Sequence, residues 1–88
     1  MAWDYGDRCV ICGNPYVHRH HVFPGTANRR KSDQYGYVIP LCARHHTGDY
    51  GIHRCRPMME YWMKEAQADF EQTHTREEFI KEFGRSYL

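Results

Sequence analysis

The chain has 88 residues, a formal net charge of +1 and 41% hydrophobic residues, which suffices for one small domain whose apolar core is marginal without further stabilisation. No apolar run approaches the roughly 18 residues that a membrane-spanning helix requires, so we expect no membrane partner. The N-terminus does not resemble a secretory signal, and we expect a cytoplasmic protein in a reducing compartment.

The first predicted element is a metal knuckle at Cys9 and Cys12, and a second follows about thirty residues later at Cys42 and His45. A tight turn can aim the two ligands of each knuckle at one tetrahedral centre, so these four residues are predicted to hold a structural Zn²⁺. Disulfides are the alternative use of the cysteines, but the Cys-x-x-Cys spacing with histidines nearby favours metal.

Two other residues compete for the fourth zinc position. His46 or Cys55 could replace His45, and the sequence leaves that choice open. Cys55 lies next to a predicted helix start and is more simply interpreted as a buried thiol.

The middle of the chain predicts a β-hairpin. Residues 17–23 favour a strand that ends at Pro24 and Gly25, and residues 35–39 favour its partner. The polar stretch 26–34 between them is predicted to be a long loop.

The C-terminal third predicts two packing helices. Apolar residues recur at helical spacing over residues 58–72. A second helix is predicted to start at Thr75, where Glu78 completes a capping-box pattern, and to stop at Gly84. The expected fold is thus a small zinc-stabilised α+β domain over residues 1–88, with the ligands in 9–56 and a helical packing segment in 57–88.

Charge is unevenly distributed along the chain. Residues 1–56 carry eight Lys/Arg and four Asp, whereas residues 57–88 carry four Lys/Arg and seven acids. Arg29, Arg30 and Lys31 lie in the basic half beside the predicted ligands, and they are predicted to contact nucleic-acid phosphates.

The chain holds more ligand chemistry than one zinc can use. Six of its seven histidines and all four cysteines lie between Cys9 and Cys55. Because a structural zinc takes four ligands, the surplus histidines indicate a second, catalytic metal site. We expect His18 and His74 to have structural roles.

These motifs resemble those of the HNH endonuclease family. The resemblance is carried by the Cys-x-x-Cys pair, the run His20–Pro24, the run Leu41–His46 and the later His53, and it covers about residues 9–56. It implies a ββα-metal finger that hydrolyses phosphodiester bonds in DNA with low sequence specificity. The tail Phe83–Leu88 is similar to small phage or prophage members, including a sub-group of RecA-dependent recombination nucleases.

The family resemblance assigns a role to each histidine it matches. His21 corresponds to the general base, and His20, His46 and His53 correspond to ligands of a catalytic divalent metal, which could be Mg²⁺, Mn²⁺, Ni²⁺ or Zn²⁺. DNA is the implied partner, together with a recombination or phage packaging protein.

The chain also departs from the family pattern. Tyr37 stands where the family has its central Asn, and Asn28 is a candidate substitute. The step from His46 to His53 spans seven residues with two glycines, and strand alternation sets His20 and His21 on opposite faces. The alternative function is a catalytically silent zinc-binding module that recognises nucleic acid or protein.

Overall fold

The computed structural model describes residues 3–88. It shows an α+β arrangement of a two-stranded sheet and four helices, which confirms the predicted fold class at that level. In chain order the elements are β1 (His18–His21), α1 (Thr26–Tyr35), β2 (Val38–Leu41), α2 (Ala43–His46), a 3-10 turn (Ile52–Arg54), α3 (Arg56–Phe70) and α4 (Arg76–Phe83).

The predicted hairpin is present as an antiparallel pair. His18 lies opposite Leu41 and His21 opposite Val38. Strand β1 is shorter than the predicted range 17–23, and β2 starts three residues later than predicted, because Tyr35 still belongs to α1. The hairpin also carries the first knuckle, since the Val10 amide donates to the Pro40 carbonyl at 3.1 Å.

The prediction of a loop over residues 26–34 is wrong, because this segment is helix α1. Gly36 ends the helix in the left-handed conformation, with φ of 78°, and its amide donates to the Asp33 carbonyl. Ser32 is the one fully buried residue of α1, and its hydroxyl accepts a hydrogen bond from the Phe23 amide at 3.3 Å. A helix that buries a serine shows no apolar stripe in the sequence, so periodicity could not reveal it.

Polar contacts attach α1 to α4. The Asn28 amide donates to the Phe83 carbonyl at 3.2 Å, and the Lys31 ammonium pairs with Glu82 at 3.1 Å. Asn28 therefore braces α4, and its substitution for the missing family Asn stays a hypothesis.

Helices α3 and α4 cover the hairpin and confirm the two predicted packing helices. Helix α3 runs two residues earlier at both ends than predicted. Helix α4 begins with the expected capping box between Thr75 and Glu78 and ends at Gly84. The core mixes aromatic and aliphatic side chains; its fully buried large apolar side chains are Phe23, Phe70, Phe79, Ile39, Leu41, Ile52 and Val22.

His74 has the structural role predicted for it, because its ring stacks on Phe70 with centroids 4.1 Å apart. Over residues 3–88, no helix combines the length and the apolar character needed to cross a membrane.

Candidate metal centres

Four of the predicted ligands lie close together in what we call the knuckle cluster, formed by Cys9, Cys12, Cys42 and His45. Their ligand atoms all lie within 4.8 Å of one another. The Cys12 and Cys42 sulfurs are 3.7 Å apart, and His45 Nδ1 lies 3.7 Å from Cys9 Sγ and 3.2 Å from Cys42 Sγ. A tetrahedral zinc with bonds of about 2.3 Å to sulfur separates two sulfur ligands by about 3.8 Å. The cluster is therefore compatible with a structural metal ion.

The backbone explains how two short segments present these ligands. In the first knuckle, the Gly13 amide donates to the Cys9 carbonyl at 2.8 Å, and Gly13 has φ of 78°. In the second, Cys42 caps α2, and its carbonyl accepts from the amides of His45 and His46. Each turn thus places two ligands on one side of the chain.

The chemistry of the knuckle cluster favours metal over a disulfide. All four cysteines are free thiols, and 3.7 Å between Cys12 and Cys42 far exceeds a sulfur–sulfur bond of about 2.05 Å. Burial raises the pKa of Cys9, but hydrogen bonds from the backbone amides of Cys42, Cys12 and Ile11 outweigh it and lower that pKa to about 6. The thiolate is the form that binds metal.

The other candidates for the fourth position do not join this cluster. Cys55 is half-buried at the start of α3, and His46 belongs to a different group of ligands. Of the alternatives that the sequence left open, the geometry favours His45.

A second group, the imidazole cluster, is formed by His20, His46 and His53. One ligand atom from each lies within 4.8 Å of the others, and His46 Nε2 is 3.1 Å from His53 Nε2. His20 is buried, and its Nε2 has no hydrogen-bond partner among the described residues. A buried nitrogen without a partner costs free energy unless a ligand satisfies it. Three imidazoles that converge on one point fit a divalent ion with an open coordination position.

Burial also favours the neutral, metal-binding form of His20 and His46. Desolvation, followed by repulsion from His53, His46 and His21, lowers the pKa of His20 to about 4. Desolvation and the neighbouring His53 and His18 lower the pKa of His46 as well. Neutral imidazole is the form that donates a lone pair to a metal.

Two glycines, Gly48 and Gly51, allow the chain to return so that His53 meets His46 although seven residues separate them in sequence. Helix α2 ends after one turn, and the 3-10 turn brings His53 back over His46. A Cβ on Gly51 would lie 2.6 Å from the His46 carbonyl oxygen, and one on Gly48 would lie 2.7 Å from the Arg44 carbonyl oxygen. The chain therefore needs glycine at both positions to return this closely.

We expect Gly51→Ala to weaken binding of a second metal ion by at least about tenfold, because the added methyl displaces His53 from its partners. The knuckle zinc should remain bound. Calorimetric titration of Ni²⁺ into protein preloaded with one zinc measures this effect. Ala68→Gly on the exposed face of α3 is the control for general destabilisation, and equal Ni²⁺ affinity in Gly51→Ala and wild type would contradict the account.

His18 contacts the imidazole cluster, which the sequence interpretation missed. Its Nδ1 lies 3.1 Å from Nδ1 of His46. If His46 donates from Nδ1, the lone pair on its Nε2 is free to face His53 and a metal. The signal was present in the sequence, since His18 and His20 are two residues apart on one strand and share a face.

His21 lies outside the ligand set but beside it. It lines a cavity of about 420 Å³ together with His20, His46, His53 and Arg29. Strand alternation does turn His21 away from His20, yet both border this cavity at the end of β1. Its position matches a group that is close to a metal without binding it.

Asp33 holds the His21 ring, and sequence reasoning missed this residue entirely. Its Oδ1 lies 3.1 Å from His21 Nε2, and Arg19 approaches the same oxygen at 3.9 Å. The carboxylate therefore lies beside the Nε2 edge of the imidazole, where it can orient the ring. No linear spacing signals the pair, because Asp33 reaches His21 only when residues 26–35 are helical.

The three predicted phosphate-binding residues separate on α1. Arg29 lines the cavity beside the imidazole cluster, and Arg30 is exposed. Lys31 is half-buried in its ion pair with Glu82. The three side chains do not share one surface, because successive helical residues point about 100° apart, and their contact with nucleic acid stays a prediction.

The fold and these clusters define a small α+β domain with two candidate metal centres. Comparison of the chain with protein-family models, with curated proteins and with solved structures finds no match.

Proposed function

We propose that this protein is a metal-dependent DNA endonuclease of the HNH type, with a structural zinc in the knuckle cluster and a catalytic divalent ion in the imidazole cluster. The observation that carries the proposal is the buried, unpartnered Nε2 of His20 within a group of three histidines, beside a fourth histidine held by a carboxylate.

The three imidazole ligands favour some divalent ions over others at the catalytic site. Imidazole suits Zn²⁺ and Ni²⁺, whereas Mg²⁺ and Mn²⁺ prefer oxygen ligands. A bound ion at His20, His46 and His53 would supply Lewis-acid stabilisation of charge on the scissile phosphate and the leaving oxygen.

The remaining steps belong to side chains around the cavity. His21 accepts a proton from the attacking water, and Asp33 lies beside its Nε2 and orients the ring. Arg29 supplies positive charge for a phosphate in the same cavity. We place His21 and the three cluster histidines in the roles that the family resemblance implies.

The wider setting is proposed from the resemblance alone. We infer a cytoplasmic phage or prophage protein that acts on DNA with low sequence specificity, alongside a recombination or packaging protein. The alternative is a catalytically silent zinc-binding module. It would bind zinc through the knuckle cluster and a nucleic acid or protein through a surface that includes Arg29, without cleaving the partner.

Cleavage of end-labelled oligonucleotides tests the proposal. Zinc-loaded protein should cut DNA when Ni²⁺, Mn²⁺, Mg²⁺ or further Zn²⁺ is supplied, and the products should carry 5′-phosphate and 3′-hydroxyl ends. Products that end in 3′-phosphate would contradict the proposed departure of the 3′ oxygen. DNA binding without cleavage in any metal would favour the silent module.

Removal of the Asp33 carboxylate should lower the cleavage rate while leaving metal binding intact. We expect Asp33→Ala to reduce the rate of the cleavage step by about 10- to 100-fold, the usual effect of losing a group that orients a functional imidazole. Single-turnover kinetics measures this rate, and Glu77→Gln on the exposed start of α4 serves as the control for loss of one acid. A large drop in second-site metal affinity would show that Asp33 acts on the ligands instead.

A further inference from the structure

A second cavity lies next to the imidazole cluster and has no role in the steps above. It has a volume of about 690 Å³ and lies between the 3-10 turn, α3 and the C-terminal segment. Pro24, His53 and Met59 line both this cavity and the smaller one that holds the histidines. The two cavities are therefore neighbours, and a ligand bound in the larger one lies next to the proposed metal site.

The rim of this cavity is strongly basic. Arg54, Lys64 and Arg85 are exposed on it, and none of them forms an ion pair within residues 3–88. The fourth Lys/Arg, Arg56, pairs with Glu60 at 3.2 Å, so the one acidic side chain in the lining already has a basic partner. Three free cations around one opening favour a ligand that carries phosphates.

Apolar side chains also line the cavity. Ile52 and Met63 are buried in its lining, and Met59 is half-buried there. The Arg85 guanidinium lies over the Tyr87 ring, 4.4 Å from its centroid. A planar guanidinium on an aromatic ring offers the kind of surface on which nucleic-acid bases stack.

We propose that this basic cavity binds one unpaired nucleotide of a DNA strand, next to the phosphate that is cut. The base lies against the Arg85–Tyr87 pair, and Arg54 and Lys64 contact its phosphates. The proposal rests on the proposed nuclease function and names its substrate class, which is DNA with a single-stranded segment.

The shape of the cavity supports an unpaired nucleotide over duplex DNA. Its volume lies in the range of about 300–1,000 Å³ that is typical of sites for single small molecules. A paired base would have to leave the stack to enter it, whereas a base in a single strand, flap or overhang enters without that cost. We therefore expect the binding affinity for single-stranded DNA to depend on the basic cavity more than the affinity for blunt duplex DNA does.

Binding measurements in a His21→Ala background test the proposal without cleavage. Fluorescence anisotropy compares a labelled 12-nucleotide single strand with a blunt 12-base-pair duplex. We expect the double variant Lys64→Ala/Arg85→Ala to weaken single-strand binding at least tenfold and duplex binding less than twofold. The slope of log affinity against log salt should fall by about 0.7 for the single strand, which corresponds to loss of the one phosphate contact made by Lys64.

The matched control removes two charges elsewhere. Arg76→Ala/Lys81→Ala on α4 changes the net charge equally and should alter neither affinity by more than twofold. Equal losses for single strand and duplex, or no loss for either, would overturn the proposal. Displacement of the single strand by a short poly-glutamate peptide with equal affinity would also overturn it, because the cavity would then suit an acidic protein partner.

A direct readout locates the ligand. Titration of the 5′-phosphorylated thymidine dinucleotide into ¹⁵N-labelled protein should shift the Arg85 side-chain Nε–H and the amides of residues 59–64 and 85–88; unshifted signals there contradict the cavity. Cleavage by wild type without the affinity loss would contradict only the cavity, and the affinity loss without cleavage in any metal would contradict only the nuclease.

Discussion

His21→Ala is expected to lower the rate of DNA cleavage by about 10²- to 10⁴-fold, the usual contribution of a general base. The imidazole is held by Asp33 at 3.1 Å and borders the cavity of the imidazole cluster, but it is outside the ligand set. Its side chain is partly exposed at the end of β1, so truncation leaves the aromatic core untouched. Single-turnover cleavage of a labelled oligonucleotide measures the loss.

His20→Ala is the matched control, since it makes the same change at the adjacent residue. Both variants should lose cleavage, but only His20→Ala should lose the second metal ion, which Ni²⁺ calorimetry on zinc-loaded protein detects. Full cleavage activity in the His21→Ala variant would show that His21 is not the general base. Loss of the second metal in His21→Ala would make it a ligand and not a base.

Cys12→Ser should unfold the domain. The apparent free energy of binding a structural zinc is about 10–16 kcal/mol, which is comparable to the entire stability of about 5–15 kcal/mol that is typical of folded domains. Cys12 is exposed, so the change removes little packing and acts through the metal. Circular dichroism with zinc analysis should show loss of helix together with loss of zinc.

Cys55→Ser provides the comparison within the same chain. Cys55 is half-buried at the start of α3 and is not part of the knuckle cluster. This variant should keep its zinc and fold with a small change in melting temperature. A Cys12→Ser protein that folds normally without metal would falsify the zinc assignment.

The parts of the fold that the sequence predicted well are those with local signals. The capping box at Thr75, the stop at Gly84 and the apolar stripe of α3 are each encoded within a few residues. The two knuckles are also local, and the geometry brings their ligands together as the spacing predicts.

The parts that could not be predicted depend on contacts between distant residues. Helix α1 is stabilised by a buried serine and by polar contacts with α4, so its sequence looks like a loop. Asp33 reaches His21 only because that helix forms. Likewise, the glycines between His46 and His53 argue from sequence against one helical face that carries both histidines. In the structure the same glycines allow the chain to fold His53 back onto His46.

The most direct test of the nuclease is relaxation of supercoiled plasmid by purified protein that holds one zinc. Each divalent metal is added in turn, and a parallel sample contains His20→Ala. The account predicts nicked or linear DNA from wild type when Ni²⁺ or another divalent ion fills the imidazole cluster, and intact plasmid from His20→Ala. Intact plasmid from folded, zinc-loaded wild type in every metal, or equal cleavage by both proteins, would contradict it.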